Sequence, residues 1–245
     1  MKRLLTLAIA LGGAFAAPVL AAPDDASAAA DAVGADSDRM QREQFDLRSR
    51  MAKTHPNELW RLYGSQAAAR GAWDDAFRHF RRAARYADKY SQHRLSLMYW
   101  YGLGAPQDRS LAYAWADLAA ERQYPQFAIL REKMWQALGE AERERALREG
   151  GALYDEYGDR AAKPRFERAL ARSKREITGS RTGDVGQLQV MTPGPARLFE
   201  PGAIDLTAMY HDWRFDSARY WAAEDVVWRD GNVEVGPAQT APRTN

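Results

Sequence analysis

LSLMYWYGLGAPQDRSLAYAWADLAA, residues 95–120, carries the signals of two helices and the turn that joins them. Leu95, Met98 and Tyr99 fall on one side of a first helix, because residues three and four apart share a helical face. Gly102 and Gly104 then stop it, since glycine takes left-handed backbone angles without a steric cost. Asp108 is placed to cap a second helix by accepting from its free N–H groups. Along that helix Ala112, Trp115, Ala119 and Ala120 recur at helical spacing. Alanine at 112 and 119 lets the paired helix approach closely, and Trp115 fills the wider gap.

On either side of this stretch, the chain matches itself when shifted by 36 residues. Leu59 falls on Leu95, Tyr63 on Tyr99, Ala76 on Ala112, Phe77 on Tyr113 and Ala83-Ala84 on Ala119-Ala120. That period belongs to helical repeats, each of which pairs two amphipathic helices. A weaker third unit starts near Gln126, with Phe127, Leu130, Met134 and Leu138 on one stripe and residues 140–157 as its second helix. A repeat cannot bury its apolar face alone, so the ends need covers. Two are expected: a helix over residues 39–53, with Met40, Phe45, Leu47 and Met51 inward, and one over about 163–177. The predicted fold is mostly α, a short αα-hairpin solenoid with an irregular C-terminal segment containing a small β-hairpin.

The run Leu95-x-x-Met98-Tyr99-x-x-Gly102-x-Gly104-x-Pro106-Gln107-Asp108-x-x-x-Ala112-x-x-Trp115-x-x-x-Ala119-Ala120 resembles a Sel1-like repeat along nearly its whole length. It departs from that pattern at Gln123, where the family usually has glycine, and at Arg109, where an aromatic is common. The preceding unit, Gly71-x-Trp73-x-x-Ala76-x-x-x-Phe80-x-x-Ala83, is similar to the second helix of a tetratricopeptide repeat and lacks the Gly-x-Gly turn. The resemblance spans roughly 57–157. It implies a non-catalytic adaptor that binds a protein or peptide partner.

Lys2 and Arg3 precede the apolar run Leu4 to Ala17, the pattern of a secretory leader, with cleavage expected after Ala21. The expected order is a signal peptide (1–21), a flexible linker (22–38), a helical repeat domain (39–178) and an aromatic-rich C-terminal segment (179–245). The expected location is the periplasm, or outside the cell, with no stable membrane insertion once the leader is cleaved. The formal charge of +2 includes Lys2 and Arg3, so the mature chain is close to neutral. Neutrality and export argue against nucleic acid as a partner. The absence of cysteine excludes disulfides, thiolate metal sites and a cysteine nucleophile. Of 35 basic residues only six are lysine, and the arginines are mixed with acids along helices, as on solvated helix faces.

Beyond Thr178 glycines and prolines break the helical pattern. Residues 226–235 read as a hairpin turning at Asp230-Gly231, and 187–191 as a short strand. Tyr210, Trp213, Phe215, Tyr220, Trp221 and Trp228 crowd the region between them. These aromatics either fold back into the groove of the repeats or stack on a glycan or peptide ligand.

Catalytic signatures are missing. His55, His79, His93 and His211 never pair at helical spacing. No nucleophile elbow occurs, and Gly102-x-Gly104 follows a helix, unlike a phosphate loop. We expect no cofactor and no metal. Stacked helix pairs leave a concave groove lined by the first helix of each pair. Trp60, Arg61 and Gln66 from one repeat, with His93, Arg94, Leu97, Trp100 and Tyr101 from the next, form the expected partner-binding set. Trp, Tyr and Arg dominate binding hot spots. The alternative is a cell-wall protein that binds or hydrolyses peptidoglycan through the C-terminal segment. Exported Sel1-like members of that kind are cysteine-rich, unlike this chain.

Overall fold

The structure is a computed structural model and describes residues 42–176 and 207–230, with the backbone of two short strands at 189–191 and 203–205. The segments assigned to the leader and linker, and Met40, lie outside the described residues. The chain divides into two units, Met1–Phe45 and Asp46–Asn245. Residues 42–51 are helical (α1). The remaining helices are α2 (Pro56–Ala69), α3 (Trp73–Ala84), α4 (Lys89–Tyr101), α5 (Arg109–Ala119), α6 (Pro125–Ala137), α7 (Glu140–Tyr157), α8 (Asp159–Glu176) and α9 (Ser217–Asp230).

Pro56 opens α2 at the first turn, where its missing N–H loses no hydrogen bond. Helices α2 and α3 form the first pair. They approach so closely that a Cβ at Gly64 would lie 2.6 Å from the Phe80 ring. Helices α4 and α5 form the second pair. Asp88 caps α4 by accepting from the Ser91 amide at 2.7 Å, and Asp108 caps α5 by accepting from the Leu111 amide at 3.0 Å. The turn between them presses Gly104, at φ +67°, onto the start of α3. A Cβ there would sit 2.3 Å from the Trp73 carbonyl oxygen. The repeat period is visible in the backbone. Helices α3 and α5 begin at 73 and 109, and α4 and α6 at 89 and 125. Among the described residues, two other than glycine take left-handed angles, Ala87 (φ +61°) and Gln123 (φ +57°), also one period apart.

Small residues carry the packing. Ala76, Ala83, Ala84, Ala112, Ala119 and Ala120 are all fully buried, around Phe80, Leu95, Met98 and Trp115. The third unit departs from expectation. Helix α7 packs chiefly on α5, and it touches α6 through Arg143, whose guanidinium lies over Trp135 at 5.1 Å. The cause is the large side chains that α7 turns toward α5. Tyr157 is buried edge-on to Trp115 with ring centroids 4.7 Å apart, and Tyr154 donates to Asp117. Helix α8 starts at Asp159, with Pro164 inside it, and returns toward the beginning of the stack. Phe166 lies 5.9 Å from His55, and Ala162 shares a cluster with Ala87.

Strands β1 (Gln189–Met191) and β2 (Ala203–Asp205) pair antiparallel, with Val190 opposite Ile204. The expected strand at 187–191 is therefore present. The hairpin expected at 226–235 is overturned in its first half, where residues 226–230 belong to α9, and residues 231–235 lie outside the described residues. Asp216 starts that helix by accepting from the Arg219 amide at 3.1 Å. Tyr220, Glu224 and Trp228 then recur every fourth residue, a helical period that overrides the β-branched Val226-Val227 pair.

Candidate functional site

The first helices of the pairs, α2, α4 and α6, present their N-terminal turns on one face, and α9 lies across them. From α2, Asn57 donates to the Tyr220 hydroxyl at 2.6 Å, and that hydroxyl donates to Glu58 at 2.9 Å. Arg61 donates to Glu224 at 3.2 Å and pairs with Asp88 at 3.0 Å. From α4, Tyr90 stacks on Trp228 at 5.5 Å. From α6 and the residue before it, Phe127 sits 5.7 Å from Trp228, and the Tyr124 hydroxyl donates to Asp225. Gln126 donates to the Trp228 carbonyl at 2.9 Å.

Beneath this contact runs a chain of buried charges. The Lys89 side chain is fully buried and reaches Glu121 at 2.6 Å, Asp159 at 3.2 Å and the Leu118 carbonyl at 3.1 Å. Burial lowers its affinity for the proton, and the two carboxylates oppose that. Arg122 forms a fork on Asp159 at 2.7 and 2.9 Å while lying 4.5 Å over Trp221. Burial works against the Asp159 charge, yet Arg122 and Lys89 hold its carboxyl well below the usual range. Glu224 is likewise buried, and Arg61 outweighs the burial and lowers its pKa. Asp88 is raised, because complete burial outweighs Arg61. The His55 ring bonds the Arg214 carbonyl through Nε2 at 2.8 Å, so Nε2 carries the proton and Nδ1 accepts from Thr54 at 2.8 Å. Burial holds His55 toward this neutral form, ahead of the opposing pull of Glu58.

The eight residues expected to bind a partner do not converge on one spot. Arg61 and His93 lie on the α9-covered side: Arg61 is 5.8 Å from the Trp228 ring, and His93 stacks on Phe127 at 4.8 Å. Burial, helped by Arg94, pushes His93 down to about 4. Arg94 lies 5.8 Å from the Phe80 ring. Trp60 instead turns toward α3, stacking on His79 at 5.5 Å under Arg82. Gln66 accepts from Arg70 at 3.5 Å. Leu97 is half-buried, Trp100 lies 4.6 Å under Arg109, and Tyr101 is 65% exposed. Sequence reasoning missed Glu58, Tyr90, Tyr124 and Phe127. Their signal was available, as these residues occupy the starts of the first helices, where successive units meet.

Of the C-terminal aromatics, Tyr220 and Trp221 are buried with Phe166 of α8, and Trp228 is held by Tyr90 and Phe127. A cavity of about 450 Å³ opens beside Trp228, lined by Arg48, Arg61, Arg214, Glu58 and Leu62 among others. No group of three or more His, Cys, Asp or Glu among the described residues could hold a metal ion, and none of the described helices is long and apolar enough to cross a membrane.

Residues 89–124 match the Sel1 repeat family. They comprise α4, the Gly-x-Gly turn, α5 and the short 3-10 turn Ala120–Arg122 that leads to Tyr124. Among solved structures, the chain is similar to a protective antigen present in uropathogenic Escherichia coli strains that displays an SLR fold. The identity is 20% and the TM-score 0.34, over 53% of this chain and 30% of that one, so this chain accounts for under a third of that protein's length. No curated protein matches. The pairing of α4 with α5, the glycine turn and the 36-residue period agree with the family match: residues 89–124 of this chain form a Sel1-like repeat.

Proposed function

We propose that this is an exported, non-catalytic adaptor that binds a protein or peptide partner through the face built from α2, α4 and α6. The observation that carries the reading is α9 itself. Three successive first helices hold another helix by an aromatic stack, an arginine–carboxylate pair and a tyrosine–carboxylate bond. A surface able to do this is equipped for helix or peptide recognition. Sel1-like repeats generally mediate contacts between proteins, which supports the same reading. Tyr101, at the end of α4, leaves a large aromatic exposed for a partner. The leader at 1–21 directs the chain to the periplasm.

The test is crosslinking of the tagged protein in living cells, followed by mass spectrometry, for wild type, Trp100→Glu and Tyr101→Glu. The expected result is a protein species captured by wild type and lost in both variants while helicity is unchanged. An identical set of species in all three removes the C-terminal end of α4 from the binding surface, and capture of no protein by wild type overturns the adaptor reading. In the same samples the mature N-terminus should be Ala22. An intact Met1 in the isolated protein would overturn the export reading.

A further inference from the structure

We infer that the α2–α4–α6 face is a receptor for an acidic, aromatic amphipathic helix, and that α9 is its resident, displaceable occupant. The inference rests on the reading that this face binds the partner, and adds the partner's chemistry. The recognition code can be read from what α9 offers. Tyr220, Glu224, Asp225 and Trp228 stand at i, i+4, i+5 and i+8, so they share one helical stripe. Each meets a complementary group: Tyr220 meets Asn57 and Glu58, Glu224 meets Arg61, Asp225 meets Tyr124, and Trp228 meets Tyr90 and Phe127. Arg122, 4.0 Å from Asp225, adds a second cation on the receptor side. The other side of α9 is unlike a core helix, with Val226 59% and Val227 56% exposed. The inward stripe is the specific one, as in helix-in-groove recognition.

A partner can displace α9 only if it gains something α9 lacks. The cavity beside Trp228 supplies this. Arg48 lines it and has no ion pair or hydrogen bond from its side chain among the described residues. Arg214 lines it too, paired with Glu58 at 2.8 Å through Nη2 while its buried Nε has no acceptor. Leu62 and the Trp228 ring supply apolar wall. A helix that matches the α9 stripe and adds a carboxylate over this cavity pairs with Arg48, a guanidinium that α9 leaves without a carboxylate. Charge-assisted bonds of that kind are among the stronger polar contacts.

The test uses the full chain and, as probe, a fluorescein-labelled synthetic peptide of residues 217–230. Anisotropy is read with wild type, Trp228→Ala, and Trp228→Ala combined with Arg61→Glu. The expected result is at least tenfold tighter peptide binding by Trp228→Ala, whose own helix competes less well, and loss of that gain when Arg61 is reversed. Absence of peptide binding by Trp228→Ala with helicity retained overturns the inference. A second readout needs no variant. In hydrogen exchange of wild type, α9 amides should open at least tenfold faster than those of α4 and α5; equal rates would make α9 a fixed core element. Size-exclusion chromatography of Trp228→Ala should show a monomer, and a dimer would make a second copy's α9 the occupant in place of a separate partner. A failure to capture a protein in cells counts against the adaptor reading and leaves the peptide and exchange results readable on their own.

Discussion

Gln123→Gly should stabilise the protein, although it removes a side chain. Gln123 sits at φ +57°, ψ +34°, exposed, between the 3-10 turn and Tyr124. Holding an L-residue there costs about 1–2 kcal/mol, because Cβ crowds the carbonyl oxygen. Glycine removes that strain and returns roughly 0.5–1 kcal/mol through its freer unfolded chain. The Gln123 amide bond to the Ala120 carbonyl, 2.8 Å, is unaffected by the change. The net gain is then about 0.5–1 kcal/mol, which for a domain of this size raises Tm by roughly 1–4 °C. Ala87 is the internal control. It has the same backbone angle one period earlier, but it is 1% exposed and packed among Ala162, Phe166 and Tyr220. Ala87→Gly relieves similar strain and loses a buried methyl worth about 0.8 kcal/mol, so its Tm should change little or fall. Thermal unfolding followed by circular dichroism reads both. A Tm for Gln123→Gly at or below wild type would refute the strain argument, and a gain for Ala87→Gly equal to that of Gln123→Gly would refute the packing half of it.

Gly104→Ala should destabilise by about 3 kcal/mol or more, since it adds a Cβ 2.3 Å from the Trp73 carbonyl oxygen at a left-handed angle; a wild-type urea midpoint would show that the turn relaxes freely. Lys89→Met should cost about 3 kcal/mol by leaving Glu121 without its buried cation and Asp159 with Arg122 and Lys163 alone, measured by chemical denaturation, and a loss under 1 kcal/mol would mean water already serves that site. His93 is pushed from 6.5 down to about 4, so between those values the unfolded chain binds the proton and the folded chain does not. Its contribution is complete above about pH 6.5 and declines as pH falls toward 4, on the order of 3 kcal/mol at most. His93→Phe should flatten stability across that window, and an unchanged slope would place the pH dependence elsewhere.

The helix pairs were legible because their determinants are local. Asp108 caps, Gly104 turns, and the buried alanines at 112 and 119 recur at a helical period, all within one repeat. Two things were not. The departure of α7 from α6 depends on Tyr157 finding Trp115, a contact between residues far apart in sequence. The last turn and a half of the helix at 217–230 falls within the stretch that reads as a hairpin, 226–235, because Val226-Val227 and Asp230-Gly231 carry strong local β signals. The stripe of Tyr220, Glu224 and Trp228 acquires meaning only when Asn57, Arg61 and Tyr90 are there to receive it. The expected binding residues scattered for a similar reason. Spacing places Trp60 and Arg61 on a first helix without saying which neighbour each will face, and they turn to α3 and α9 respectively.

The ties between the start of α2 and the C-terminal helix also bear on how the chain folds. In an open repeat array each unit touches only its neighbours, so the ends fray first and unfolding can proceed unit by unit. Here Asn57 bonds Tyr220 and Arg61 bonds Glu224, each across 163 residues of chain. Closing so long a loop carries an entropic cost that local pairs do not, and contacts of this separation slow folding. In return, while α9 is docked it ties α2 to the end of the chain, and neither end frays until α9 lets go. The line of repeats is closed by a clasp, and its loss of structure should begin with the release of α9 and only then pass to the helix pairs.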